Sequence, residues 1–145
     1  MWRGVHTVVL ISRRKKPGIL FVRRSKNDSN PGKWQVPGGG VERSETFRQA
    51  SARELKEETG ILSGPGEHIK LGINTDHKTW YVTFFFVNKL KTDLKGVRLS
   101  SEHDGKRIFP ISHIERSTKF VFVKFGKRIL RLSGKFENLK SSGKG

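Results

Sequence analysis

No cysteine occurs among the 145 residues, so a disulfide framework, a thiolate metal site and a thiol nucleophile are all excluded. That fits a reducing compartment. Acid is scarce too: 13 Asp and Glu stand against 30 Lys and Arg, for a net charge of +17, and a field of that sign attracts polyanions without saying which. Long hydrophobic runs are missing. The longest stretch without a charged residue, Thr79 to Asn88, has ten residues, against the roughly 20 that cross a bilayer as a helix. The apolar run Val5 to Ile11 ends in Ser-Arg-Arg-Lys-Lys and not in a small-residue cleavage site, which speaks against a secretory leader. A soluble intracellular protein of one domain, with no membrane partner, is expected.

What is there is unevenly spread. Residues 1 to 35 hold nine basic residues and one acid, residues 116 to 145 hold nine and one, and five of the thirteen acids fall between Gly39 and Ile61. A basic chain with one acidic spot suits a bound cation surrounded by a bound anion; an ordinary solvated helix face is the alternative. Ten Phe, three Trp and a Tyr supply bulky core material.

Val5 to Ser12 and Gly18 to Arg24 read as a hairpin turning at Pro17-Gly18. A polar loop from Ser25 to Lys33 leads to a small strand at Trp34 to Val36 and an irregular turn at Pro37 to Gly40. Thr46 to Thr59 lacks Gly and Pro and stops at Gly60, so it is a helix, with Ser44 and Glu45 offered as capping side chains. Ile69 to Asn74 and Lys78 to Leu90 are strands, the second the strongest β signal in the chain, and Lys106 to Phe109 is a short one. From Ser117 the period changes: Val121, Phe125, Ile129, Leu132 and Phe136 recur at steps of four and three beside a basic stripe of Lys124, Lys127, Arg128, Arg131 and Lys135. This predicts an amphipathic helix interrupted at Gly126, with a strand at Phe120 to Phe125 as the competing pattern. The domain spans 1–137, and 138–145, rich in Lys, Ser and Gly, is a disordered basic tail by composition.

On a wheel of about 100° per residue, Glu54, Glu57 and Glu58 share a face with Phe47 and Ala50, while Arg48, Gln49, Arg53 and Lys56 spread over the rest. Normal patterning is inverted. Like charges three and four residues apart repel, so carboxylates crowded at a core edge take up protons or hold a cation. Hard oxygen donors favour Mg²⁺, with Mn²⁺ second. The competing interpretation is a surface network in which Arg53 and Lys56 neutralise these acids.

Gly39, five residues, Glu45, seven residues, then Arg53-Glu54-Leu55-Lys56-Glu57-Glu58-Thr59-Gly60-Ile61 resembles an unbroken Nudix box, with all nine specified positions met over 23 residues. The leading Trp34-Gln35-Val36-Pro37-Gly38-Gly39 also resembles the family. The resemblance implies an α/β fold: an α/β/α sandwich with a mixed sheet between the box helix and a C-terminal helix. It further implies Glu57 and Glu58 as metal ligands, Glu54 as a further ligand or the base that activates water, and the Gly38 carbonyl as a backbone ligand. Arg53 and Glu45 match the pair that orients the helix. Glu102, in Ser100-Ser101-Glu102-His103, matches an additional metal-binding or catalytic acid, beside which His103 is either an assistant or surface decoration. Arg23, Arg24, Lys33 and Trp34 precede the box where phosphate-binding and base-stacking groups sit. Arg23 and Arg24 point to opposite strand faces, so at most one faces the site, and Trp34 serves equally as a core anchor.

The implied activity is Mg²⁺-dependent cleavage of a pyrophosphate bond in a nucleoside diphosphate linked to another moiety. The leaning is to a dinucleoside polyphosphate or an RNA 5′ end. Nucleoside triphosphate pyrophosphatase and nucleotide-sugar hydrolase are the enzyme alternatives, and a non-catalytic nucleic-acid-binding module is the alternative of another class. RNA is a candidate partner through the basic surface.

Overall fold

Arg14 and Lys15 carry positive φ angles of 48° and 66°, and they form the turn of the first hairpin. The computed structural model describes residues 1–26 and 30–142, with the backbone alone from 135 to 142. Strand β1 (Trp2–Arg13) and strand β2 (Lys16–Arg24) pair antiparallel from Leu10↔Ile19 to Arg13↔Lys16. The turn expected at Pro17-Gly18 is therefore displaced, and both residues lie within β2. A two-residue connection with both residues left-handed matches the twist of the flanking strands, which overrides the usual preference for glycine there.

Strand β3 (Trp34–Gln35) pairs with β2, and strand β4 (Gly38–Gly40) pairs with the start of β1, Val5 opposite Gly39. Of the irregular turn expected at Pro37 to Gly40, Pro37 remains a bend and Gly38–Gly40 is a strand because β1 offers it a free edge, a non-local partner that composition does not reveal. Strand β5 (Ile69–Thr75) and strand β6 (Trp80–Asp93) pair antiparallel, β6 runs parallel to β1 over its length, and strand β7 (His103–Pro110) closes the far edge against β2. The sheet is mixed, as expected.

Helix α1 (Phe47–Thr59) starts at Thr46, whose hydroxyl accepts from Gln49 N–H while the Gln49 side chain accepts from Thr46 N–H. This reciprocal cap replaces the one expected from Ser44 and Glu45. At the other end Gly60 takes the left-handed conformation, φ 73°, as a stop signal requires. Helix α2 (Phe120–Ser142) runs unbroken through Gly126, which fits closely: an added Cβ would stand 3.3 Å from Ile114. Helical backbone reaches Ser142, further than the domain end expected at 137; residues 143–145 of the expected tail lie outside the described residues, as does the Lys135 side chain of the basic stripe.

The helices cover opposite sheet faces. Along β1, Val5, Val9 and Ile11 point to the face where Ala50 and Leu55 of α1 pack, while Val8 and Leu10 point to the face of Phe122, Phe125 and Ile129 of α2. In β6, Phe85 and Val87 take the first face and Phe84 and Phe86 the second. A sheet buried on both sides explains the unbroken apolar runs in these strands. Among the described residues, no helix is long and apolar enough to cross a membrane.

Candidate active site

Leu55 is fully buried against the sheet, which turns Glu54 and Glu58 of α1 toward the edge formed by β4. Glu58 is 3 % exposed and accepts a hydrogen bond from Gly38 N–H at 3.0 Å. Glu54 packs against Gly39: a Cβ there would stand 2.5 Å from the Glu54 Oε1. Only glycine lets the strand come that close. Glu57, 57 % exposed, sits at the rim.

Arg53 holds this edge together. Its Nη2 and Nε donate to the two Glu45 oxygens at 2.5 and 3.0 Å, Nη1 donates to Glu54 at 2.9 Å and Glu57 at 3.2 Å, and Nη2 donates to the Gly40 carbonyl at 2.9 Å. The Arg53 hydrogen bonds keep the Glu45 carboxyl below its ordinary value, and the same contacts hold the guanidinium protonated. Burial pushes Glu54 up, against the pull of Arg53. Burial pushes Glu58 up to about 8, opposed by Gly38 N–H and reinforced by the charges of Glu54 and Glu102.

A cleft of about 410 Å³ opens over these acids, and Arg24, Glu102 and His103 line its other wall. Ser100 N–H donates to the Glu58 carbonyl and the Glu102 carbonyl accepts from Ser25 N–H, tying that wall to α1 and β2. Oxygens of Glu58 and Glu102 and a nitrogen of His103 lie within 4.8 Å of one another. His103 is 6 % exposed, so the surface-decoration alternative gives way. The spacing of Glu54, Glu57 and Glu58 thus brings them together with Glu102, Gly38 and the second wall.

Arg23 and Arg24 separate. Arg24 enters the cleft, whereas Arg23 bonds Asp104 at 2.7 Å and lies 5.5 Å over the Trp34 ring, which Arg107 covers from 4.4 Å. Of the two, Arg24 lies on the side of the acids, and Arg23, also a candidate for substrate binding by its sequence position, faces away from them. Lys33 and Trp34 line a second cavity of about 260 Å³ on the α2 face, with His6, Phe21, Phe84 and Phe120. His6 stacks on Phe84 at 5.2 Å, and burial lowers its pKa. Gln35 lines both cavities. Sequence reasoning missed His6, Gln35, Phe84 and Phe120, which come from three strands and a helix; only Gln35, next to Trp34, carried a local signal.

Behind α1 a buried chain of polar groups fixes the helix. Thr7 Oγ1 bonds Ser51 Oγ at 2.6 Å, Ser51 Oγ bonds His68 Nδ1 at 2.7 Å, and His68 Nε2 bonds Ser63 Oγ at 2.7 Å. Burial brings His68 down to about 4, so it serves as a neutral linker.

Three comparisons bear on this geometry. The NUDIX domain family matches residues 2–131. The chain is 33 % identical over 93 residues to the oxidized purine nucleoside triphosphate hydrolase of Danio rerio, covering 64 % of this chain and 50 % of that protein. It is 40 % identical over 53 residues to the RNA pyrophosphohydrolase of Erythrobacter litoralis, covering 37 % and 31 %. It spans half or less of the length of either protein. The crystal structure of the MutT protein from Methanosarcina mazei Go1 superposes with a TM-score of 0.66 at 28 % identity, covering 91 % of this chain and 94 % of that one.

Proposed function

This chain belongs to the Nudix family, and we propose that it hydrolyses a pyrophosphate bond of a nucleotide, with the base in the aromatic cavity and the phosphates in the acidic cleft. The observation that carries this is Gln35, which lines both cavities and so joins an apolar, aromatic chamber to a charged one within a single ligand's reach. Phe84, Phe120 and Trp34 offer ring faces to a base, neutral His6 offers its imidazole, and Lys33 and Lys119 stand at the same cavity for anionic groups.

The carboxylate and carbonyl donors fit a hard divalent cation, Mg²⁺ or Mn²⁺. Glu58 is buried next to two other carboxylates and pushed far from its ordinary value, a state that a bound cation relieves. Glu54, Glu57, Glu58 and Glu102, with the Gly38 carbonyl, would hold it. Such an ion neutralises phosphate oxygens and makes water more acidic. Glu54 takes the proton from the water that attacks phosphorus, and the bridging P–O bond breaks with its electrons on the departing phosphate. Burial raises Glu54 toward the range useful to a base, and Arg53 fixes its direction. Arg24 faces the phosphates from the opposite wall.

For the substrate, the leaning is to an RNA 5′ end or a dinucleoside polyphosphate, supported by the net charge of +17 and by the similarity to an RNA pyrophosphohydrolase. A nucleoside triphosphate is the second reading, favoured by the aromatic lining of the smaller cavity and by the Danio rerio relative. The cytoplasm is the compartment that suits a cysteine-free hydrolase of this kind. The test is product release from 5′-triphosphorylated RNA, dinucleoside polyphosphates, nucleoside triphosphates and nucleotide sugars, each with Mg²⁺ and with chelator. Cleavage of at least one class only with the ion supports the proposal, and no cleavage of any class refutes it.

A further inference from the structure

Strand β7 pairs with β2 in regular antiparallel register from Gly18↔Pro110 to Arg23↔Gly105, and then slips: Arg24 stands opposite His103. Asp104 is the extra residue of a β-bulge. Residues directly opposed in an antiparallel pair share a face. Ile19 and Phe21 face α2, Leu20 packs on the α1 side, and Arg24 continues the Leu20 face into the cleft. Without the bulge, Asp104 would face Arg24 and add one more acid to that cleft. With it, His103 faces in and Asp104 bonds Arg23 on the other side. Bulges next to sites re-aim side chains in this way.

We propose that His103, with Glu58 and Glu102, supplies a nitrogen ligand to a cation site in the cleft, so that the site prefers a first-row transition ion such as Mn²⁺ to Mg²⁺. The inference rests on the cleft being metal-dependent as proposed above. Its geometry is close: the three donor atoms lie within 4.8 Å of one another, and two ligands about 2.1 Å from one ion stand at most about 4.2 Å apart, so a small rotameric contraction closes the set. Two of the three are buried, His103 at 6 % and Glu58 at 3 % exposure, while exposed Glu102 forms the mouth. Carboxylates alone suit Mg²⁺ and Mn²⁺ alike, whereas an imidazole nitrogen adds affinity for transition ions and little for Mg²⁺.

The test titrates Mn²⁺ and Mg²⁺ alone into the metal-free full chain by calorimetry and records pulsed electron paramagnetic resonance of the Mn²⁺ complex. The wild type should show imidazole ¹⁴N coupling to Mn²⁺, and H103Q should lose it. The Mn²⁺ dissociation constant should rise on the order of tenfold or more in H103Q, with Mg²⁺ affinity held within about threefold. No nitrogen coupling in the wild type overturns the inference whether or not H103Q folds, as does coupling that survives H103Q or an equal loss for both ions. A wild type that cleaves its nucleotide with Mg²⁺ yet shows no nitrogen coupling defeats only this inference; absence of ion-dependent cleavage defeats the proposed function instead.

Discussion

Arg53 grips Glu45 with two prongs, Nη2 to Oε1 at 2.5 Å and Nε to Oε2 at 3.0 Å. The pair joins the second turn of α1 to the segment that leads into the helix, and the rest of the guanidinium points Glu54 and Glu57 into place. Lysine cannot make that fork. R53K should therefore lower turnover on the order of 10²-fold, the scale of a small misplacement of reacting groups, while the Michaelis constant changes little. Steady-state kinetics and a thermal melt on the same sample check this; unchanged turnover in a folded R53K would contradict it.

Gly39 is where strand and acid touch. In G39A the new methyl meets the Glu54 carboxylate, so Glu54 must swing away. The expected result is a folded protein with turnover down at least as far as in E54Q, and circular dichroism with kinetics checks it. Wild-type turnover in G39A would show that Glu54 need not lie against β4.

Acidification should destabilise the protein through His68. Its folded pKa is about 4 against an ordinary 6.5, with burial the main cause. The unfolded chain therefore binds the extra proton between those values, and stability falls as pH drops from about 6.5 to about 4. H68N should flatten that slope in chemical denaturation series. Glu58 runs the other way: burial raises it from 4.5 to about 8, so its contribution is complete below about 4.5 and is lost as pH rises toward 8. In chelator, the melting temperature of E58Q relative to wild type should climb across that window and level off above it. A constant difference across the window would contradict the burial argument.

Lys124, Lys127, Arg128 and Arg131 are exposed along α2, on a stripe longer than a mononucleotide needs. If the substrate is an RNA 5′ end, the triple reversal K127E/R128E/R131E should raise the Michaelis constant for RNA and reduce its salt dependence, leaving a small dinucleotide unaffected. Identical kinetics on RNA at low salt would assign the stripe to solubility alone.

The legible parts were those written in local periodicity. The face shared by Glu54, Glu57 and Glu58 and the apolar stripe of α2 through Leu132 follow from a 3.6-residue repeat, the stop at Gly60 follows from glycine's tolerance of the left-handed conformation, and the structure keeps them. What was hidden depends on partners far along the chain. Strand β4 exists because β1 presents an edge; the hairpin turns at Arg14-Lys15 because strand twist outweighs the preference for glycine. His103 faces the cleft because of a one-residue slip against β2, which no alternation within β7 announces. The aromatic cavity draws His6, Trp34, Phe84 and Phe120 from four elements, so its members had no common signal.

The most direct measurement compares wild type, E58Q and E54Q on one nucleotide that the wild type cleaves, with Mg²⁺ varied up to saturation. Chelator is expected to abolish wild-type cleavage, E58Q to stay nearly inactive at every Mg²⁺ concentration, and E54Q to lose about 10²- to 10⁴-fold in turnover at saturating ion, the share of a general base. Wild-type turnover in folded E58Q, or wild-type cleavage that persists in chelator, would contradict this expectation.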